Sequence, residues 1–380
     1  MITLTTDITP EAIFREAMLA RPRLATVDEV TPIDAIALAN GGTALIKRED
    51  RSRVNSFKWR GATNRIAVMH ERGESGPIVA ASAGNHAQGV AIAAARFGLR
   101  ATIFMPRNTP RIKVGRVREL GGEWVEVELV GDSYDEAAAA AQLLVEKTGG
   151  SWVHPFDDPL VIAGQGVIGD EIVHQLKAPP ARVYLCVGGG GLAAGVAAVL
   201  RAHWPGIELI GVEAEGQASM TAAIRNGEPV DIGEVDTFCD GSAVRIAGKN
   251  TYQLCTQLLD RMVTVTNDQV CAAIECAWRV LRAVPEPSGA LGLAGLLNDS
   301  CDHRDGSLAI LSGSNLDFMT LPKIARRSHI GTRIRRHFAF GMGEHPGALV
   351  SLLERIGDGC NIVDFQYGKS DHRFRFIPIG

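Results

Sequence analysis

Val183-Tyr184-Leu185-Cys186-Val187-Gly188-Gly189-Gly190-Gly191-Leu192-Ala193-Ala194-Gly195 decides the fold. The first five residues read as a buried strand, the four glycines as a turn, and Leu192 onward as the start of a helix. A strand running through glycines into a helix is the repeating unit of an α/β protein. Glycines there let successive backbone N–H groups converge on an anion at the positive end of the helix. A plain tight turn needs only one or two glycines, so the run of four favours a phosphate site. The owner of that phosphate stays open at this point. Glu213, after Leu209-Ile210-Gly211-Val212, stands where a dinucleotide-binding unit places an acid, which keeps a nicotinamide oxidoreductase in view. Against it, the glycines are contiguous rather than spaced G-x-G-x-x-G, and the unit lies in mid-chain.

Outward from this stretch the same alternation repeats. Strands are predicted over Thr43 to Ile46, Pro77 to Ala81, Ala101 to Met105, Glu123 to Glu128, Trp152 to His154, Arg182 to Val187, Glu208 to Val212 and Ser307 to Leu311. Helices such as 9 to 20, started by Thr9-Pro10, and Asp135 to Thr148 flank or separate them. So many short apolar strands exceed one small sheet, which implies two α/β domains with mainly parallel sheets. The expected division is a large domain from 1-50 and 151-322, and a small domain over 51-150. A basic connector follows over 323-335, where Lys323, Arg326, Arg327, Arg333 and Arg335 occur without an acid, and 336-380 forms a separate C-terminal segment.

Composition narrows the function classes. The chain has 380 residues, 46% hydrophobic and 22% charged, as expected of a soluble globular protein. A formal charge of −4 argues against nucleic acid as the main partner, since polyanions need a basic face. No apolar run is long enough to span a membrane, and Met1 to Thr6 lacks the pattern of a signal peptide. Seven cysteines without CxxC pairs or a histidine cluster suggest reduced thiols in a cytoplasmic protein and no metal site.

The chemistry centres on Asn55-Ser56-Phe57-Lys58-Trp59-Arg60-Gly61-Ala62. An amine in that apolar setting loses solvation, which lowers its pKa and makes it a nucleophile or base. A lysine opening an amphipathic helix with its head in water is the alternative. Ser82-Ala83-Gly84-Asn85-His86 follows an apolar run and begins a helix, a suitable cradle for a substrate carboxylate, although an ordinary helix cap has a similar pattern. Ser312, in Ser312-Gly313-Ser314-Asn315, offers a neutral hydroxyl at a strand end, where it can meet a heterocyclic nitrogen or simply make a turn. Glu286-Pro287-Ser288-Gly289-Ala290 puts a carboxylate at another helix start.

Taken in order from about Pro32 to Leu321, these stretches resemble the fold-type II pyridoxal-phosphate enzymes, of tryptophan synthase β-like architecture, and most closely the threonine/serine dehydratases. His154-Pro155-Phe156-Asp157-Asp158-Pro159, Ala163-Gly164-Gln165-Gly166 and Asp240-Gly241-Ser242-Ala243-Val244 add to the match. The resemblance implies that Lys58 carries pyridoxal 5'-phosphate as a Schiff base, and that Gly188, Gly189, Gly190, Gly191 and Leu192 hold its phosphate. It also implies that Phe57 packs on the ring, Asn85 faces the phenolic oxygen, Ser312 bonds the pyridine nitrogen, and Ser82 to His86 bind the substrate. The implied reaction is β-elimination from L-threonine to 2-oxobutanoate and ammonia, with L-serine giving pyruvate. The carbanion loses its β-hydroxyl readily because a serine hydroxyl does not lock a proton on the pyridine nitrogen. Other β-hydroxy amino acids, such as 3-hydroxyaspartate or phenylserine, are alternatives, as are serine racemisation and a catalytically dead sensor. Ala83 replaces the serine of racemases, and Ser219 stands where their cation site would have a carboxylate. A dimer or tetramer is expected. Residues 336-380, with Pro346-Gly347-Ala348-Leu349 and Phe365-Gln366-Tyr367, resemble a truncated ACT-like βαββ unit. Strands are expected at Arg336 to Gly341, Asn361 to Tyr367 and Arg373 to Ile377, with a role in isoleucine response or in assembly.

Overall fold

A computed structural model describes residues 8–38, 41–74, 76–299, 306–338, 345–357, 361–362 and 377–379. Its strands are β1 (Ile33–Ala37), β2 (Thr43–Arg48), β3 (Ile78–Ala81), β4 (Ala101–Met105), β5 (Val125–Leu129), β6 (Ser151–Trp152), β7 (Arg182–Cys186), β8 (Glu208–Ala214), β9 (Arg261–Val265), β10 (Ser307–Leu311), β11 (Arg336–Phe338) and β12 (Ile377–Ile379). One six-stranded sheet runs β1-β2-β10-β7-β8-β9, parallel except for β1. A four-stranded parallel sheet runs β5-β4-β3-β6. The expected α/β class with parallel sheets is therefore found.

The central strands earn their place through their sequences. β7 and β10 are apolar along nearly their whole length and buried, as strands covered on both faces must be. Two strands absent from the expectations, β1 and β9, are the outer strands of the six-stranded sheet. Only Ile36 of β1 and Val265 of β9 are buried, so neither carries the apolar run that marks an inner strand. β6 pairs with β3, so the four-stranded sheet extends to Trp152. The first helix runs Pro10–Leu24, a turn beyond the expected 9 to 20, and is capped by the Thr9 hydroxyl.

Helix Lys58–Glu71 crosses helix Pro159–Gln175 closely enough that a Cβ at Gly164 would lie 2.6 Å from the Arg60 carbonyl oxygen. The same crossing buries an ionic network. The Arg60 Nε donates to Glu49 at 2.7 Å, and its Nη1 donates to Glu171 at 2.6 Å. Lys47 Nζ also donates to Glu171 at 2.6 Å and to the Thr31 carbonyl at 2.7 Å. All four charged side chains are buried. They tie the helix that begins at Lys58 to β2 and to a helix packed on the larger sheet.

In the C-terminal segment, β11 pairs antiparallel with β12, and a helix spans Ala348–Ile356. The strand expected over Asn361 to Tyr367 lies outside the described residues from 363 onward, as does 373 to 376 of the third. The described parts, a strand from Arg336, a helix and a strand that shares only Ile377 with the expected third one, do not establish an ACT-like unit.

Removing one partner of a buried ion network strands the others without solvent or counter-charge, at a cost of about 3–5 kcal/mol. We expect Arg60→Met to lower the unfolding free energy by about that amount. Urea unfolding followed by circular dichroism measures it. A loss under about 1 kcal/mol would contradict the anchoring role given to Arg60.

Candidate active site

Three strand ends meet the lysine turn. β3 ends at Ala81 before Ser82, β7 ends at Cys186 before the glycines, and β10 ends at Leu311 before Ser312. Carboxyl ends of parallel strands are where open α/β sheets bind ligands.

The turn before Lys58 is stitched to the segment after β10. Asn55 adopts a left-handed conformation, φ 53°, which asparagine tolerates better than most residues. Ser56 bridges Gly313, the Phe57 N–H donates to the Ser312 carbonyl at 3.1 Å, and the Ser314 N–H donates to the Asn55 carbonyl at 2.8 Å. Lys58 then opens its helix half-buried, and its Nζ donates to the Pro155 carbonyl at 3.0 Å. Burial pulls the Lys58 amine down to about 8, and Glu286 only partly offsets it. The Phe57 ring lies beside the amine, 5.3 Å from Nζ to its centroid.

The glycine turn presents unpaired donors. Among the described residues, no N–H from Gly188 to Ala193 donates to a protein acceptor, whereas the Val187 N–H still pairs with the Val212 carbonyl. Gly190 has φ 92°, a conformation that favours glycine. Phe156 closes the back of the turn: its ring lies where a Cβ on Gly189 would be. The Asp157 carboxylate accepts from the backbone N–H groups of Lys249 and Thr251, and the Thr251 hydroxyl donates to the Gly189 carbonyl at 2.6 Å.

After β3, the Ser82 hydroxyl accepts from the Gly84 N–H at 3.2 Å. It turns onto its own loop rather than capping the helix. That leaves the N–H groups of Asn85, His86 and Ala87 without a protein acceptor among the described residues. The Asn85 Nδ2 donates to Glu286 at 2.6 Å. His86 is buried with Nε2 against the Val153 carbonyl at 2.8 Å, and burial with the Lys58 charge drives it down to about 3. Its side chain is therefore committed to the protein interior, while Ala83 and Gly84 contribute backbone to the loop. Ser312 is buried, with its hydroxyl against the Cys186 thiol.

Two site residues were not singled out from the sequence. His154 accepts from the N–H groups of Phe156 and Asp157 at Nδ1, which places its proton on Nε2. Burial and the charge of Lys58 hold it near 4, so it stands beside the amine as a neutral donor. Asn315 donates to Asn85 Oδ1 at 2.7 Å. Each stands within a recognisable motif, but Asn85, the partner of Asn315, and Lys58, the charge that faces His154, are distant in sequence. A separate hollow lined by Ile224, Arg225, Cys255, Leu259 and Met262 contains none of these residues. No group of three or more metal-ligating side chains is found among the described residues. No helix of the described residues is long and apolar enough to cross a membrane.

Comparison with known proteins agrees with this geometry. The profile of the pyridoxal-phosphate dependent enzymes matches residues 26–313. The biosynthetic L-threonine dehydratase of Haemophilus influenzae is 45% identical over 338 residues, covering 88% of this chain and 65% of the relative. That of Escherichia coli is 42% identical over 358 residues, covering 93% of this chain and 69% of the relative. The chain thus spans about two-thirds of the length of these relatives. Among solved structures, the processed form of threonine deaminase isoform 2 from Solanum lycopersicum superposes with TM-score 0.79 at 40% identity, covering 86% of this chain and 90% of that one. Maize serine racemase superposes with TM-score 0.75 at 27% identity, covering 84% of this chain and 98% of that one. A strand-end cleft with a lowered lysine amine, a run of unpaired glycine N–H groups and this breadth of likeness lead to one conclusion: the chain belongs to the family of pyridoxal-phosphate-dependent enzymes.

Proposed function

We propose that the chain is a threonine dehydratase, converting L-threonine to 2-oxobutanoate and ammonia and, less readily, L-serine to pyruvate. The observation that carries the substrate choice is the 40–45% identity to proteins named biosynthetic L-threonine dehydratases. The cofactor fits the residues present. The unpaired N–H groups from Gly188 to Ala193, at the start of a helix, suit a phosphate. Lys58 suits the aldehyde, Phe57 the ring face, Ser312 the ring nitrogen and Asn85 the phenolic oxygen. When bound, pyridoxal phosphate withdraws electrons from the substrate Cα.

The chain's own groups do the rest. Free N–H groups at Asn85, His86 and Ala87 bind the substrate carboxylate. The Lys58 amine, lowered to about 8, is neutral often enough near pH 7 to take the Cα proton. The β-hydroxyl leaves with a proton as water, and hydrolysis of the released product gives the 2-oxo acid and ammonia. His86 and His154, both held neutral, add no positive charge beside the amine.

The expected division of the chain stands beside this reading as part of it: a small domain over 51-150, a large one from 1-50 and 151-322, a connector over 323-335 and a shortened ACT-like unit over 336-380. The uncovered apolar side chains of Leu349, Val350 and Leu353 support contact of that unit with a second copy.

Purified protein given pyridoxal phosphate and L-threonine is expected to release 2-oxobutanoate, and Lys58→Ala to lose at least about 1,000-fold of that rate. Equal or faster turnover of 3-hydroxyaspartate or phenylserine would move the assignment to that substrate. With L-serine, pyruvate is expected without comparable D-serine, because the Ala83 methyl cannot return a proton to the opposite face. D-serine forming as fast as pyruvate would refute the one-base reading. For the C-terminal unit, isoleucine is expected to weaken threonine saturation. No response to isoleucine or valine, with an oligomer that dissociates on deletion of residues 331 to 380, would leave it an assembly role alone.

A further inference from the structure

Glu286 has no part in the reading above, yet its buried carboxylate accepts a hydrogen bond from the Asn85 side chain. Its N–H donates to the Gly313 carbonyl at 3.1 Å, and its own carbonyl accepts from the Ala290 N–H at 3.1 Å. The backbone is thereby pinned to the segment after β10 that also holds the lysine turn. Oε1 occupies the space a Cβ on Gly313 would need. It accepts from Asn85 Nδ2 at 2.6 Å. The other end of the same amide, Asn85 Oδ1, accepts from Asn315 Nδ2 at 2.7 Å, and Asn315 Nδ2 also donates to the Val54 carbonyl at 2.8 Å. With an acceptor on one side and a donor on the other, the Asn85 amide fits only one way round. Flipping it would set oxygen against carboxylate and nitrogen against nitrogen.

We propose that Glu286 is a positioning residue: by accepting one Asn85 N–H it turns the second N–H of that amide toward an anionic oxygen of the cofactor held at Lys58. The proposal rests on the cofactor reading given above. The carboxylate is also poised to change charge in the working range. Burial and the neighbouring Asp240 push Glu286 up to about 7, while the Asn85 hydrogen bond and the charges of Lys113 and Lys58 pull the other way. Cys186 also faces it and remains a neutral thiol. Lys113 and Asp240 pair with each other at 3.3 Å. Above about pH 7 the ionised Glu286 is the stronger acceptor for Asn85, because charge-assisted hydrogen bonds exceed neutral ones. Below that pH the proton on Glu286 weakens its hold, and the bound cofactor senses the change through Asn85.

The test is a pH titration of the visible absorbance of the pyridoxal-phosphate-loaded enzyme, with cofactor affinity measured alongside, for the wild type, Glu286→Gln and Glu286→Leu. The wild-type band is expected to shift with a midpoint near pH 7. Glu286→Gln keeps an oxygen for Asn85 but has no proton to lose, so the band should remain and that midpoint disappear. Glu286→Leu removes the acceptor and should bind pyridoxal phosphate about tenfold more weakly than the glutamine variant. An unchanged midpoint in Glu286→Gln, or wild-type affinity in Glu286→Leu, would overturn the proposal. Should the leucine variant fail to fold by circular dichroism, the glutamine titration decides. A wild-type protein with no visible band would instead overturn the cofactor reading itself.

Discussion

The guanidinium of Arg60, buried between the carboxylates of Glu49 and Glu171, fixes where the helix that begins at Lys58 lies. It lies two residues beyond Lys58 on the same helix, so whatever holds Arg60 also holds the Lys58 backbone. Burying these charges is costly, and well-packed apolar residues would serve stability as well. What the network adds is geometry. Arginine offers donors in a planar fork, and here both carboxylates each meet two of them, which permits one setting of the helix against β2 and its neighbour. The bridge between Ser56 and Gly313 fixes the other end of the same turn.

The electrostatics of the cleft follow from that placement. Desolvation lowers the Lys58 amine, and the two imidazoles nearest to it are kept neutral by burial and by its charge. Opposing it are one carboxyl with a raised pKa and a thiol that stays protonated. An anionic ligand therefore meets mainly backbone N–H groups, at the glycine turn and at the start of helix Asn85–Phe97. Such dipoles are fixed by the fold and need no reorganisation when charge moves during a reaction.

Local patterns made much of this legible in the sequence. The apolar run of β7, the contiguous glycines and the apolar flanks of Lys58 each carry their meaning within a dozen residues. The outer strands β1 and β9 were not legible, because half-exposed strands lack a continuous apolar signature. Nor were the contacts that orient Asn85, since its partners Glu286 and Asn315 lie 201 and 230 residues away. Ser82 illustrates the same limit at short range: a hydroxyl before a helix start suggests a cap, but the loop turns it onto Gly84 instead. The C-terminal strands expected beyond Asn361 fall largely outside the described residues.

Everything above turns on Lys58 being the residue that bonds the cofactor. The most direct measurement is to reduce the pyridoxal-phosphate-loaded protein with borohydride, digest it and locate the phosphopyridoxyl group by mass spectrometry. That group is expected on the peptide containing Ser56-Phe57-Lys58-Trp59, at the Lys58 side chain. Its appearance on Lys47, Lys113 or any other lysine, with Lys58 unmodified, would contradict it.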